Sequence, residues 1–151
     1  MQKRTKAEEE QLFKVLQRAR NRLEHLTPND WILIVDKSKP KTFAAGETML
    51  EPGKLRGMVY LLVKGKARIE GEGKIHISQI EAGEICGEMS FLENRLASAW
   101  VIADETVEAY GIDWGSLHEL FELYPHLASR FYRSLAVNLS RRLRDQIGTK
   151  K

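Results

Sequence analysis

Between Lys41 and Ile112 glycine returns nine times, at 46, 53, 57, 65, 71, 73, 83, 87 and 111, between short runs of Val, Ile, Leu, Met and Tyr. That rhythm narrows the fold more than any other feature of the chain. Short β-favouring runs broken by glycine-bearing turns predict an all-β sandwich or barrel. The expected strands are Lys41–Phe43, Thr48–Glu51, Met58–Val63, Lys66–Glu70, Lys74–Ile80, Ser98–Ala103 and Val107–Ile112. Lys64-Gly65 reads as a tight hairpin between two of them. Glu70-Gly71-Glu72-Gly73 reads as the next turn; it lacks the following helix that a phosphate loop requires.

On both sides of this stretch the apolar period becomes helical. Ala7 to His25 carries Leu12, Phe13, Leu16, Ala19 and Leu23 on one stripe, predicting a long helix. Thr27 before Pro28 starts a second, short helix, the hydroxyl as cap and the proline at the first helical position. Trp31, Ile32, Ile34 and Val35 form its buried side. A third helix covers Trp114 to Leu123, and a fourth runs from Pro125 to about Ile147. Along the last, Leu127, Phe131, Leu135, Leu139 and Leu143 recur at steps of four. Two partners fit that stripe, the chain's own β-roll or a second copy of the helix, with Asn138 and Arg142 beside it weakening a pure coiled-coil seam. The expected division is a helical segment over 1–30, a β-roll over 31–124 and a closing helix over 125–151.

Bulk properties fix the class. A length of 151 residues suits one domain, and 42% hydrophobic with 30% charged residues excludes disorder. The net charge of +3 gathers partly at the chain ends, where no interleaved aromatics point to nucleic acid; solvated helix ends account for it. Cys86 is the single cysteine, so no internal disulfide can form. With no leader-like segment and no apolar run of membrane-spanning length, a cytoplasmic protein is expected. His25, His76, His118 and His126 are isolated, no metal-ligand or nucleophile spacing is present, and an enzyme is not expected. Cys86 reads as core rather than as a reactive thiol, and Trp100 and Trp114 as packing anchors.

The stretch that carries chemistry is Gly87-Glu88-Met89-Ser90, followed by Ala97-Ser98-Ala99. A Gly-Glu pair opening a helical turn, then a small-residue strand start, reads as a cradle for a sugar phosphate. Backbone N–H groups at the turn favour an anion, the carboxylate accepts from a ribose hydroxyl, and small side chains admit a ligand to the backbone.

The order of helices, roll and long helix, with these residues, resembles the cyclic nucleotide-binding domain family. The resemblance covers roughly Trp31 to Arg144. Ala45 to Lys54 is similar to the family's glycine-bracketed first hairpin, and Met58 to Gly65 to the strand ending in its turn glycine. Glu81 to Leu92 is similar to the run into the phosphate-binding cassette. The resemblance implies a double-stranded β-helix, or jelly roll, with N-terminal helices and a long C-terminal hinge or dimerisation helix. It implies that Glu88 binds the ribose 2′-hydroxyl, that Gly87 and Met89 line the cradle, and that Ser98 and Ala99 offer donors to the cyclic phosphate. At Ala97, nine residues after Glu88, the family places an arginine; Leu96 and Cys86 also depart from its pattern.

Losing an arginine–phosphate pair typically costs about 2–5 kcal/mol, or roughly 30- to several-thousand-fold in affinity. Arg95, two residues earlier, shares a face with position 97 if the segment is extended and is the candidate replacement. Two functions follow. One is a regulatory sensor that binds cyclic AMP, cyclic GMP or a related ligand weakly, occupancy shifting the helices after Asp113. The other is a degenerate module that binds no nucleotide and serves as a protein-interaction or dimerisation domain. No cofactor is implied beyond the candidate ligand, and no DNA-binding module is expected within these residues.

Overall fold

A computed structural model describes residues 4–53, 57–71, 76–93 and 99–149. Two helices lead, α1 (Lys6–Arg18) and α2 (Pro28–Lys37). Then come β1 (Lys39–Phe43), β2 (Thr48–Leu50), β3 (Met58–Lys64), β4 (Lys66–Glu70), β5 (His76–Glu81) and β6 (Ile85–Cys86). A short helix α3 (Glu88–Glu93) precedes β7 (Trp100–Ala103) and β8 (Val107–Asp113), and α4 (Trp114–Leu123) and α5 (Pro125–Thr149) close the chain. The expected jelly roll with flanking helices is what forms. Among the described residues, no helix is long and apolar enough to cross a membrane.

Among the described residues, eight strands make two antiparallel four-stranded sheets, ordered β1-β8-β3-β6 and β2-β7-β4-β5. This corrects two turns. Lys64-Gly65 is not a hairpin, because β3 pairs with β6 and β8 while β4 pairs with β5 and β7. The chain instead changes sheets there. Gly65 has φ +93°, and a Cβ on it would stand 2.3 Å from the Thr106 carbonyl oxygen, so only glycine fits the corner. The Ala45–Lys54 stretch likewise carries the chain from β1, paired with β8, to β2, paired with β7. A local turn signal reports a change of direction and is silent on which sheet receives the next strand. The two-residue strand β6 was missed outright, since Ile85-Cys86 is too short to show a period.

β3 explains why its apolar run is unbroken: both faces are buried. Val59 and Leu61 join a cluster with Leu16, Trp31, Leu117, Leu127 and Phe131 from the helices. Tyr60 and Leu62 face the roll interior with Phe43, Met49, Ala67, Val101 and Val107. Helices therefore pack on the outside of one sheet while the two sheets close on each other.

The helix expected over Ala7–His25 ends at Arg18, with Ala19 already extended at its C-cap. Ala19, Leu23 and Leu26 stay buried, which is the source of the false helical period. The amides beyond Arg18 take partners elsewhere: the Asn21 N–H donates to Glu84 Oε2 at 2.8 Å, and the His25 N–H to Ser134 Oγ at 3.0 Å. The second start is as expected. The Thr27 hydroxyl accepts from the Asp30 N–H at 3.1 Å, and Asp30 Oδ2 accepts from the Thr27 N–H at 3.0 Å, a reciprocal capping box. α2 thus spans the expected division at 30/31.

Candidate functional site

β6 runs along β3 and delivers the chain to Gly87, whose φ of +88° turns it sharply into α3. A Cβ at Gly87 would lie 2.4 Å from the Met58 carbonyl oxygen and 3.3 Å from Leu50 Cδ1. The cradle's first residue is therefore glycine for two reasons, the left-handed backbone and the wall behind it. Glu88 follows as the first residue of α3, half-buried, and Met89 beside it is 42% exposed. Ala99 lies half-buried one residue before β7. Arg95, Ala97 and Ser98 lie outside the described residues.

Burial pushes the Glu88 carboxyl above the usual carboxylate range. The nearby carboxylate of Glu84 adds to the rise; the N–H groups of Glu88 and Met89 and the charge of Arg142 on α5 pull the other way. Cys86, just before the cradle, is buried, and its thiol is pushed up by loss of water, which suits packing rather than reactivity.

Phe91, which sequence reasoning did not single out, fastens the cradle to the helices. It is buried on α3, with its ring centroid 4.7 Å from His118, 6.2 Å from Trp114, 6.1 Å from Phe121 and 6.2 Å from Phe131. Phe91 thus packs α3 directly against α4 and α5. The available signal was its place three residues after Glu88, on the opposite side of a helical turn from Met89. Trp114 is a packing anchor as expected, seated over Gly57, where a Cβ would lie 2.4 Å from its ring. Trp100 is not: it is 39% exposed on β7, opposite Glu70 of β4, because its side of that strand faces solvent.

The apolar stripe of α5 divides at mid-helix. Leu127, Phe131 and Leu135 are buried against the core, whereas Leu139 is 40% exposed and Leu143 and Ile147 are each 59% exposed. Among the described residues, no group of three or more His, Cys, Asp or Glu side chains is placed to hold a metal ion.

Comparison with known proteins assigns the roll. Residues 40–124, more than half of the chain, match the model of the cyclic nucleotide-binding domain. Cyclic GMP-binding protein C of Dictyostelium discoideum is 27% identical over 129 residues, a stretch that is 83% of this chain and 5% of that protein. Catabolite activator protein of Thermus thermophilus has a similar structure, with TM-score 0.67 and 28% identity over 82% of this chain and 59% of that one. A cyclic nucleotide-binding domain from Methylobacillus flagellatus superposes with TM-score 0.75 at 18% identity, over 95% of this chain and 84% of that one. The curated relatives are far longer, this chain spanning between 5% and 19% of their lengths.

Proposed function

The chain belongs to the cyclic nucleotide-binding domain family, and from that premise we propose a non-enzymatic regulatory module whose ligand is cyclic AMP, cyclic GMP or a close relative. Glu88, at the turn made by Gly87 and joined through Phe91 to α4 and α5, is the observation that carries the reading. In this proposal Glu88 accepts from the ribose 2′-hydroxyl, Gly87, Met89 and Ala99 line the cradle, and Ser98 donates to the phosphate. Arg95 stands in for the cation that position 97 does not supply. The roll over 31–124 receives the ligand, and the segment over 125–151 transmits its presence to a partner. A reducing setting such as the cytoplasm suits the single buried thiol.

A second reading is favoured by two observations, the alanine at 97 and the exposed second half of α5. In it the module binds no nucleotide and pairs with a second copy through Leu139, Leu143 and Ile147.

A thermal-shift titration separates the readings, because a ligand that binds only the folded state raises the melting temperature by mass action. The sensor reading expects a rise with cyclic AMP or cyclic GMP at millimolar concentration, and a larger rise in Ala97→Arg. A rise in Ala97→Arg alone marks a cradle eroded at that one position. No rise in either protein, with concentration-dependent dimers in sedimentation, supports the second reading.

A further inference from the structure

The loop over 19–27, between α1 and α2, touches both the roll and α5. Besides Asn21, four residues hold it and the start of α2 to α5: Asp30 with Arg130 at 2.6 and 2.8 Å, His25, whose N–H donates to Ser134 Oγ at 3.0 Å, Glu24 with Arg141 at 2.6 Å, and Arg20 with Asp145 at 3.6 Å. These stay among the helical elements. Asn21 is different. Its N–H donates to Glu84 Oε2 at 2.8 Å, and its carbonyl oxygen accepts from Asn138 Nδ2 at 3.0 Å.

Both partners are themselves held. Glu84 is buried, and its second oxygen accepts from the Glu81 N–H at 2.9 Å; it precedes β6 directly and stands three residues before Gly87. Asn138 is buried on the inward face of α5, in helical register with Phe131 and Leu135. One turn further along, Arg142 is near enough for its charge to favour ionisation of Glu88. Asn138 of α5 thus grips the loop that is bonded to the residue preceding the cradle's entry strand.

We infer that the backbone of Asn21 is a joint coupling the position of α5 to the strand entering Gly87-Glu88, through its paired bonds to Glu84 and Asn138. The coupling is a property of the fold with nothing in the cradle, so it stands apart from whether a nucleotide binds there. It adds a second route to the aromatic contacts of Phe91, on the other side of the cradle's entry.

Amide hydrogen exchange followed by NMR tests this on the 151-residue chain without ligand, in the unmodified protein, Asn138→Ala, Glu84→Gln, the double variant and Arg141→Ala. Asn138→Ala leaves both Glu84 and the Asn21 N–H in place. It is nevertheless expected to speed exchange of the Asn21 amide and of the Gly87–Met89 amides by up to about tenfold, the scale of the one neutral hydrogen bond it removes. Glu84→Gln should do the same to amides near Asn138. The double variant should be no more than about twofold faster than the faster single, as expected for sites acting through one joint. Arg141→Ala should leave the Gly87–Met89 amides at their original rates. Unchanged Asn21 and Gly87–Met89 exchange in Asn138→Ala, or a double variant equal to the product of the singles, overturns the joint. If Asn138→Ala does not fold, Asn138→Ser is read the same way; if neither folds, Glu84→Gln read at the amides near Asn138 decides.

Discussion

The two halves of α5 share one apolar period and end in different surroundings. In the first, Leu127, Phe131 and Leu135 are no more than 4% exposed, packed against α4, α2 and the outer face of β3. In the second, Leu139, Leu143 and Ile147 point largely into solvent. Periodicity states which face of a helix is apolar; it says nothing about what covers that face. The first half is a structural element of the domain, and the second presents an exposed apolar surface.

The largest expected effect breaks the comparison at its buried end. Phe131→Ala should lower unfolding stability by about 3–5 kcal/mol, because it empties the aromatic cluster around Phe91 and Phe121. Leu143→Ala, at the same step of the stripe, should change stability by no more than about 0.5 kcal/mol. Denaturant titrations of the two variants check this; equal losses would mean that the second half is already covered.

Next comes the tie between α5 and α2. Asp30 is 2% exposed and caps α2 while accepting both Arg130 bonds, so Asp30→Ala should cost about 2 kcal/mol from its cap and hydrogen bonds. Burial opposes ionisation of Asp30, but the Arg130 bond and the Thr27 amide outweigh it and hold the carboxyl below its ordinary value. A lowered folded pKa stabilises above the unfolded value and ceases to do so as pH falls through the folded one. The difference between the unmodified protein and Asp30→Ala should therefore be full at neutral pH and shrink in acid, as measured by unfolding at stepped pH.

The smallest effect has the opposite sign. The Glu88 carboxyl is raised by burial, so its contribution is full below the unfolded pKa and is lost as pH rises through the folded value. Glu88→Gln, a mimic of the protonated acid, should gain stability over the unmodified protein at neutral pH and lose that advantage in mild acid.

The roll was legible because alternating glycine turns and β-branched runs are local signals, and the start of α2 because its cap is. Thr27 and Pro28 announce that helix within a few residues. What stayed hidden was decided at long range. The end of α1 depends on Glu84 and Ser134, far along the chain, competing for its loop's amides. The sheet assignments at Gly65 depend on the close approach of Thr106. In the cradle, Gly87 and Glu88 were visible as a motif, whereas the role of Phe91 as the fastening to α4 and α5 needed the positions of four other rings.

Titrating the isotope-labelled protein with cyclic GMP, and separately with cyclic AMP, while following backbone amide resonances tests the central claim most directly. The account predicts saturable shifts that begin at Gly87, Glu88, Met89 and Ala99 and extend to Phe91 and α5. Resonances that stay fixed at millimolar nucleotide, or shifts confined to surfaces remote from Glu88, would contradict it.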